Sequence, residues 1–366
     1  MIRGMLERIS AFLEKSPRTK ARSIASQLDL DRGEVNRLLH EHADKFEQDD
    51  EYRWSLAATS CRIEFSGRDW LTAWHFETSL KEHTPLTSPH RKVVFLLSGG
   101  FKPMLDFIAR LLAFCNQLVK VGKLVTLDFG GSSSTLTYLN RVGFFDVLDK
   151  SISVLPERPT GDLAKTFHGN NKGLIEFSLI DPANFDENIP TQLRDSFVAC
   201  AGASYSQGAF TILAELFDNV REHSDSGSPG FACLQFYRNS GKIQAVISDN
   251  GRGIVGTLGP VVPQKYPAVA RKMASAPHAG VALLTEVFRT GDLSQVDADG
   301  RGVGLKRSGD LAEKFKAKIS VRQNDFELRI HHADGAMQFS QRLDLAPLAG
   351  THVCFEFKLD ASVKSA

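Results

Sequence analysis

Between Phe210 and Glu222 the apolar residues Leu213, Leu216, Phe217 and Val220 recur at i, i+3, i+4 and i+7, which predicts a helix with one buried stripe. Glu215, Asn219 and Glu222 or His223 repeat at similar spacing on a different face, so Glu215 and Asn219 lie one turn apart. The run Gln244-Ala245-Val246-Ile247-Ser248 alternates and carries β-branched residues, the pattern of a strand. Gly173 to Ile180 predicts another strand and Pro190 to Ala201 a helix. Four late runs, Lys318 to Arg322, Phe326 to His331, Met337 to Arg342 and His352 to Leu359, predict successive antiparallel strands. His331-His332 is no metal pair on this reading, because adjacent strand residues point to opposite faces.

Upstream the order changes. Lys92 to Leu97 reads as a buried strand, Pro103 to Lys120 as a helix, Lys123 to Phe129 as a strand and Ser134 to Leu139 as a helix. That alternation predicts parallel pairing. Ser132, Ser133 and Ser134 open the last of these helices, where N-capping is expected. At the start of the chain Ile2 to Leu13, Ala21 to Leu28 and Asp31 to His40 predict three helices. Phe46 and Tyr52-Arg53-Trp54 then bracket the acidic turn Glu47 to Glu51. The expected layout is an α/β multi-domain chain with units at 1–57 and 58–150, a polar linker at 151–172, and a C-terminal unit at 173–366.

The chemistry gathers at three glycine turns. Asp249-Asn250-Gly251-Arg252-Gly253-Ile254 closes a strand. Asp249, acceptor-only when ionised, suits an exocyclic amine such as that of adenine, and Gly251 and Gly253 allow backbone to approach a ring. Gly300-Arg301-Gly302-Val303-Gly304-Leu305 opens a helix running to Phe315, so its N–H groups suit an anion, with Arg301 and Lys306 as added charges. Gly350-Thr351 precedes the last strand. On the helix, an Asn219 amide oxygen suits Mg²⁺ and the Glu215 carboxylate suits proton abstraction beside a phosphate. The polar Asp297-Ala298-Asp299 before the second turn argues against a Rossmann site, and no P-loop run is present.

In that order these blocks resemble the GHKL superfamily of ATPases, named for gyrase, the heat-shock chaperone, histidine kinases and MutL. The resemblance covers roughly the last half of the chain and implies a Bergerat-type α/β sandwich. Glu215 with Asp218 and Asn219 is similar to its N box; Asp249, Gly251, Gly253 and Ile254 to its first glycine box. Gly300, Arg301, Gly302, Val303, Gly304, Leu305 and Lys306 resemble the second, and Thr351 the last. The likeness implies ATP and Mg²⁺ as ligands, with Mg²⁺ on Asn219, adenine on Asp249, and a mobile lid from Val255 to about Asp299. Histidine kinases usually carry Asn where Glu215 stands, whereas gyrase-like and MutL-like members carry Glu to activate water. Anti-sigma serine kinases also keep Glu there, to activate a protein hydroxyl.

Residues 1–57 resemble a winged helix-turn-helix, which implies DNA or a protein as partner, and 58–150 resemble a STAS domain. The wing is acidic, and the unit holds ten basic against eleven acidic residues, so no excess charge for phosphates is present. The whole chain is near neutral, with 44 basic and 43 acidic residues. Five scattered cysteines form no Cys-x-x-Cys pair and are expected reduced. With no signal pattern and no long apolar run, a cytoplasmic protein without membrane contact is expected. Three readings stand: an ATPase switch, commonly a homodimer in such relatives; a serine kinase acting on a STAS partner; and an ATP-sensing DNA-binding regulator.

Overall fold

The computed structural model describes residues 2–42, 45–57, 60–65, 70–88, 90–97, 100–181, 183–184, 186–223, 229–290, 293, 317–333 and 336–359. The chain opens with α1 (Ile2–Lys15), β1 (Thr19–Lys20), α2 (Ala21–Leu28), α3 (Arg32–Glu41), β2 (Phe46–Gln48) and β3 (Arg53–Leu56). The strands pair antiparallel in the order β1-β3-β2. Asp31 starts α3 by accepting the Glu34 N–H at 2.8 Å. Ile9, Leu13, Ile24, Val35, Leu38, Phe46 and Trp54 form a small separate core.

Next come β4 (Ser60–Glu64), β5 (Trp70–Leu71), α4 (Ala73–Leu80), β6 (Lys92–Leu96), β7 (Lys102–Pro103), α5 (Leu105–Lys120), β8 (Leu124–Asp128), α6 (Ser133–Arg141), α7 (Phe144–Val147), β9 (Ser153–Leu155) and α8 (Leu163–Thr166). Strands β4, β6, β8 and β9 make a parallel sheet in that order, and β5 pairs with β7. Part of the stretch expected as a linker is thus a sheet strand: Val154 of β9 is buried, and its neighbours pair with β8. Ser132 does not cap α6 with its side chain; its hydroxyl bonds the Thr135 hydroxyl at 2.9 Å.

The C-terminal half holds β10 (Leu174–Ile180), α9 (Ile189–Ala201), a 3-10 turn, α10 (Ser206–His223), β11 (Gly230–Tyr237), β12 (Lys242–Ser248), α11 (Gly253–Leu258), α12 (Val262–Lys265), α13 (Pro267–Ser275), α14 (Ala279–Thr290), β13 (Lys318–Asn324), β14 (Phe326–Ala333), β15 (Ala336–Arg342) and β16 (Leu348–Lys358). Its seven strands run β10-β11-β12-β16-β13-β14-β15, every neighbour antiparallel.

Both faces of this sheet are covered. Ile243, Ala245 and Ile247 of β12 join a core with α9, α10, α11 and α14, while Val246 joins the core of α4 and α5. Period-2 alternation therefore sends one strand into two cores. α5 is sandwiched between the antiparallel and parallel sheets, and Leu105 and Phe107 to Cys115 are all buried. Burial on both sides suits a helix whose apolar residues reach round most of its surface, its buried Arg110 and Gln117 being hydrogen-bonded.

The lid expected over 255–299 is not what 253–290 form. That stretch folds into α11 to α14, with Val281, Leu283, Leu284, Val287 and Phe288 of α14 buried. Pro263 and Pro267, which suggest loop punctuation in the sequence, stand in the first turns of α12 and α13, where a missing N–H costs nothing. Of the remaining stretch, 291–299, only Leu293 lies among the described residues.

Candidate functional site

Where β12 ends, Asp249 becomes a junction between two chain segments. Its N–H donates to Thr351 O at 2.9 Å, continuing the pairing of β12 with β16. Its carboxylate accepts the Gly251 N–H at 2.7 Å on Oδ1 and the Thr351 N–H at 3.0 Å on Oδ2. Asp249 is 2% exposed, and burial pushes its carboxyl up to about 6 against the pull of those amides. A carboxylate offers about four acceptor positions; the two amides and the Thr351 hydroxyl engage it here, so capacity remains for one amine donor.

Around it the backbone is packed too closely for side chains. Gly350 has φ +90° and a Cβ there would stand 2.0 Å from Asp249 O. Gly253 has φ +71° and a Cβ would meet Gly350 O at 3.0 Å. Thr351 Oγ1 accepts the Ile254 N–H at 3.3 Å and Gln323 Nε2 at 2.9 Å, and Gln323 Oε1 accepts the Val255 N–H at 3.1 Å. The first N–H groups of α11 are thereby satisfied by side chains of β16 and β13.

Four of the sequence-predicted residues, Asp249, Gly253, Ile254 and Thr351, meet directly in this cluster, and Gly251 is tied in through its N–H. Glu215, Asp218 and Asn219 are carried by α10, whose Ile212, Leu213 and Phe217 share a core with Ile247 and Ile254. α10 packs on β12 and α11, which brings the helix alongside the Asp249 turn. The side chains of Glu215, Asp218 and Asn219, and all of Gly300, Arg301, Gly302, Val303, Gly304, Leu305 and Lys306, lie outside the described residues. Among the described residues no cluster of three His, Cys, Asp or Glu could hold a metal ion.

Sequence reasoning missed Gln323, His352 and Gln117. The first two sit in strand runs with nothing to mark them; Gln117 had a faint signal, a polar residue late in an apolar helix. Gln117 reaches from α5 to the back of the turn, donating to Asn250 Oδ1 at 3.0 Å and Ala349 O at 2.9 Å. His352 Nε2 donates to Ala349 O at 2.9 Å, while burial drives the imidazole down to about 3 and keeps it neutral.

Further along the same sheet face, Arg110 of α5 donates to Glu77 Oε1 of α4 at 2.5 Å and to Glu327 of β14. Arg322 of β13 donates through Nε to Glu77 Oε1 at 2.9 Å and also to Ala346 O. All four charged side chains are at most 4% exposed. The middle unit is therefore bound to the sheet through buried, mutually satisfied charges as well as through a shared apolar core.

No protein-family model matches this chain, and no curated protein sequence matches it. Among solved structures, the chain is similar to the B-subunit of the DNA gyrase from Myxococcus xanthus, at 14% identity over 49% of this chain and 45% of that one, with a TM-score of 0.25. It is also similar to the 43K ATPase domain of Thermus thermophilus gyrase B in complex with an aminocoumarin, at 16% identity over 47% of this chain and 36% of that one, with a TM-score of 0.24. The chain spans less than half the length of either. Among the described residues no helix is long and apolar enough to cross a membrane.

Proposed function

We propose that the Asp249 turn is the base-reading end of an ATP site and that the chain works as a nucleotide-dependent ATPase switch. The observation that carries this reading is a buried carboxylate with unused acceptor capacity, fixed by two backbone amides between the first turn of α11 and the Gly350 crossing. An adenine amine supplies the donor such a group lacks. Asn219, brought near by α10, would hold Mg²⁺ through its amide oxygen, and Glu215 one turn earlier would orient water at the terminal phosphate. Gly300 to Lys306 would offer backbone N–H groups and positive charge to the phosphates.

Calorimetry with Mg-ATP is the direct test. Wild type should release heat, and Asp249→Asn, which turns one acceptor into a donor facing the amine, should not. Equal heats for the two proteins would remove Asp249 from the site, and no heat from wild type would remove the reading. Mg-dependent phosphate release that is unchanged by Glu215→Ala would leave Glu215 without a role in hydrolysis.

In the same reading the first unit is a winged helix and the second is STAS-like. The winged helix is assigned to protein docking, because Arg37 is bound by both oxygens of Glu41, and Arg53 by Asp49 and Glu51. Cations engaged in this way have less to offer a phosphate backbone. Duplex binding with a steep salt dependence would reverse that assignment.

A further inference from the structure

At the opposite end of β12 from Asp249, the β11–β12 turn and the β5–β7 bridge border an open cavity of about 630 Å³, with an adjoining one of about 300 Å³ under α6. Pockets of this size bury small organic ligands. The two share Trp70, Lys102, Gln235 and Tyr237. Trp70 keeps 46% of its surface exposed although it is held in place. The Tyr237 ring meets it edge-on at 5.5 Å, and Lys102 Nζ lies 5.8 Å from its ring centre. Tyr237 is itself fixed, its hydroxyl oxygen accepting the Leu105 N–H at 2.8 Å. An exposed, rigidly mounted indole is a stacking surface.

The charge around it has one sign. Among the described residues Lys102, Arg238 and Lys242 line the larger cavity, and no described Asp or Glu lines either one. Lys242 is paired with Glu356 at 2.9 Å. Lys102 and Arg238 have no carboxylate partner among the described residues. Gln235 accepts the Tyr138 hydroxyl at 2.9 Å, which orients its amide and leaves its NH₂ as a donor at the cavity wall.

We infer that this cavity is a binding site, separate from the Asp249 turn, for a small aromatic anion: a planar ring stacked on Trp70, with a carboxylate or phosphate held by Lys102 and Arg238. Both halves of the ligand are needed. The ring alone leaves two cations unanswered, and the anion alone leaves the indole uncovered.

Calorimetry and ligand-observed NMR on the full chain with indole-3-acetate and 1-naphthyl phosphate test it, with indole-3-acetamide as the uncharged control. At least one of the two anions should bind saturably, and the tighter one identifies the anionic group. Trp70→Ala and Lys102→Ala should each weaken binding by roughly tenfold, about 1.4 kcal/mol, and the amide should bind at least as weakly as the anion does to Lys102→Ala. Both positions are surface-exposed, so the variants should melt as wild type does. The inference is overturned if neither anion binds wild type up to about 10 mM, where even a millimolar site is filled. It is equally overturned if both variants bind as wild type does, or if the amide binds as tightly as the acid.

Discussion

Gln117 and Ala349 exchange two hydrogen bonds across the seam between the middle unit and the sheet: the side-chain NH₂ donates to Ala349 O and the side-chain oxygen accepts the Ala349 N–H, both at 2.9 Å. The same NH₂ reaches Asn250 Oδ1. One amide on α5 thus imitates a strand edge and holds both segments of the proposed nucleotide turn from behind. Gln117→Ala should lower stability by about 1 kcal/mol, since the Ala349 N–H loses its side-chain acceptor while Ala349 O keeps the His352 bond. Gln117→Glu should cost more, because a carboxylate would face Ala349 O. Urea denaturation measures both, and a Gln117→Ala curve that overlays wild type would show the contact to be energetically idle.

The buried charges predict a sharp contrast with those on the surface. Arg110→Met leaves Glu77 and Glu327 facing each other with one fewer cation, and should cost about 3–5 kcal/mol. Arg37→Met breaks an exposed i,i+4 pair with Glu41 and should cost no more than about 0.5 kcal/mol. Similar losses in the two variants would contradict the burial of the inner cluster.

Gly350→Ala places a methyl group 2.0 Å from Asp249 O at φ +90°, so the crossing of β16 over the turn must open. Strain at such a position costs on the order of 1–3 kcal/mol from the backbone alone, and the clash adds to it. A substantially lowered melting temperature is expected. Gly4→Ala, on α1 with open space around it, should change little by comparison. Equal melting temperatures for Gly350→Ala and wild type would disprove the close approach.

Two buried groups give opposite pH dependences. The Asp249 carboxyl stands at about 6 in the fold against its ordinary 3.8, so its contribution is complete below 3.8 and is lost as pH rises through 6. His352 stands at about 3 against 6.5, so stability is lost as pH falls from 6.5 toward 3, where only the unfolded chain takes up the proton. Relative to wild type, Asp249→Asn should gain stability as pH rises from 4 to 6, and His352→Gln should gain it as pH falls from 6.5. Each slope approaches about 1.4 kcal/mol per pH unit, one proton's worth. Parallel stability curves for wild type and variants would show that neither group is shifted.

The strands and helices were largely legible, because each follows a local periodicity. Gln244 to Ser248 fell within β12, Phe210 to Glu222 within α10, the first three late runs within β13, β14 and β15, and His352 to Leu359 on β16 but for its last residue. The parallel pairing of β6 with β8 also followed from element order. Two misreadings had local causes. Prolines that begin helices looked like loop punctuation between 255 and 290, and a three-residue strand at 153–155 is too short for its alternation to stand out from a polar stretch. Of the candidate site, Asp249, Gly251, Gly253 and Thr351 were visible because glycine turns recur after a polar helix face in a set order, with an acidic residue heading one turn and Thr351 following another. Gln323 and Gln117 were not, since a glutamine carries no sign of what it will bond.

By itself the sequence determined most of the secondary elements, their order, and the residue types gathered at the Asp249 turn, all of which depend on neighbours a few positions away. Tertiary structure alone decided that α5 lies between two sheets and that Arg110 meets Glu327, 217 residues on, and Gln117 meets Ala349, 232 residues on. It also decided that Trp70 and Lys102 stand against the far turn of β11 and β12. Contacts at such separations arise only when whole elements pack to remove apolar surface from water, and periodicity states which face is buried without stating against what.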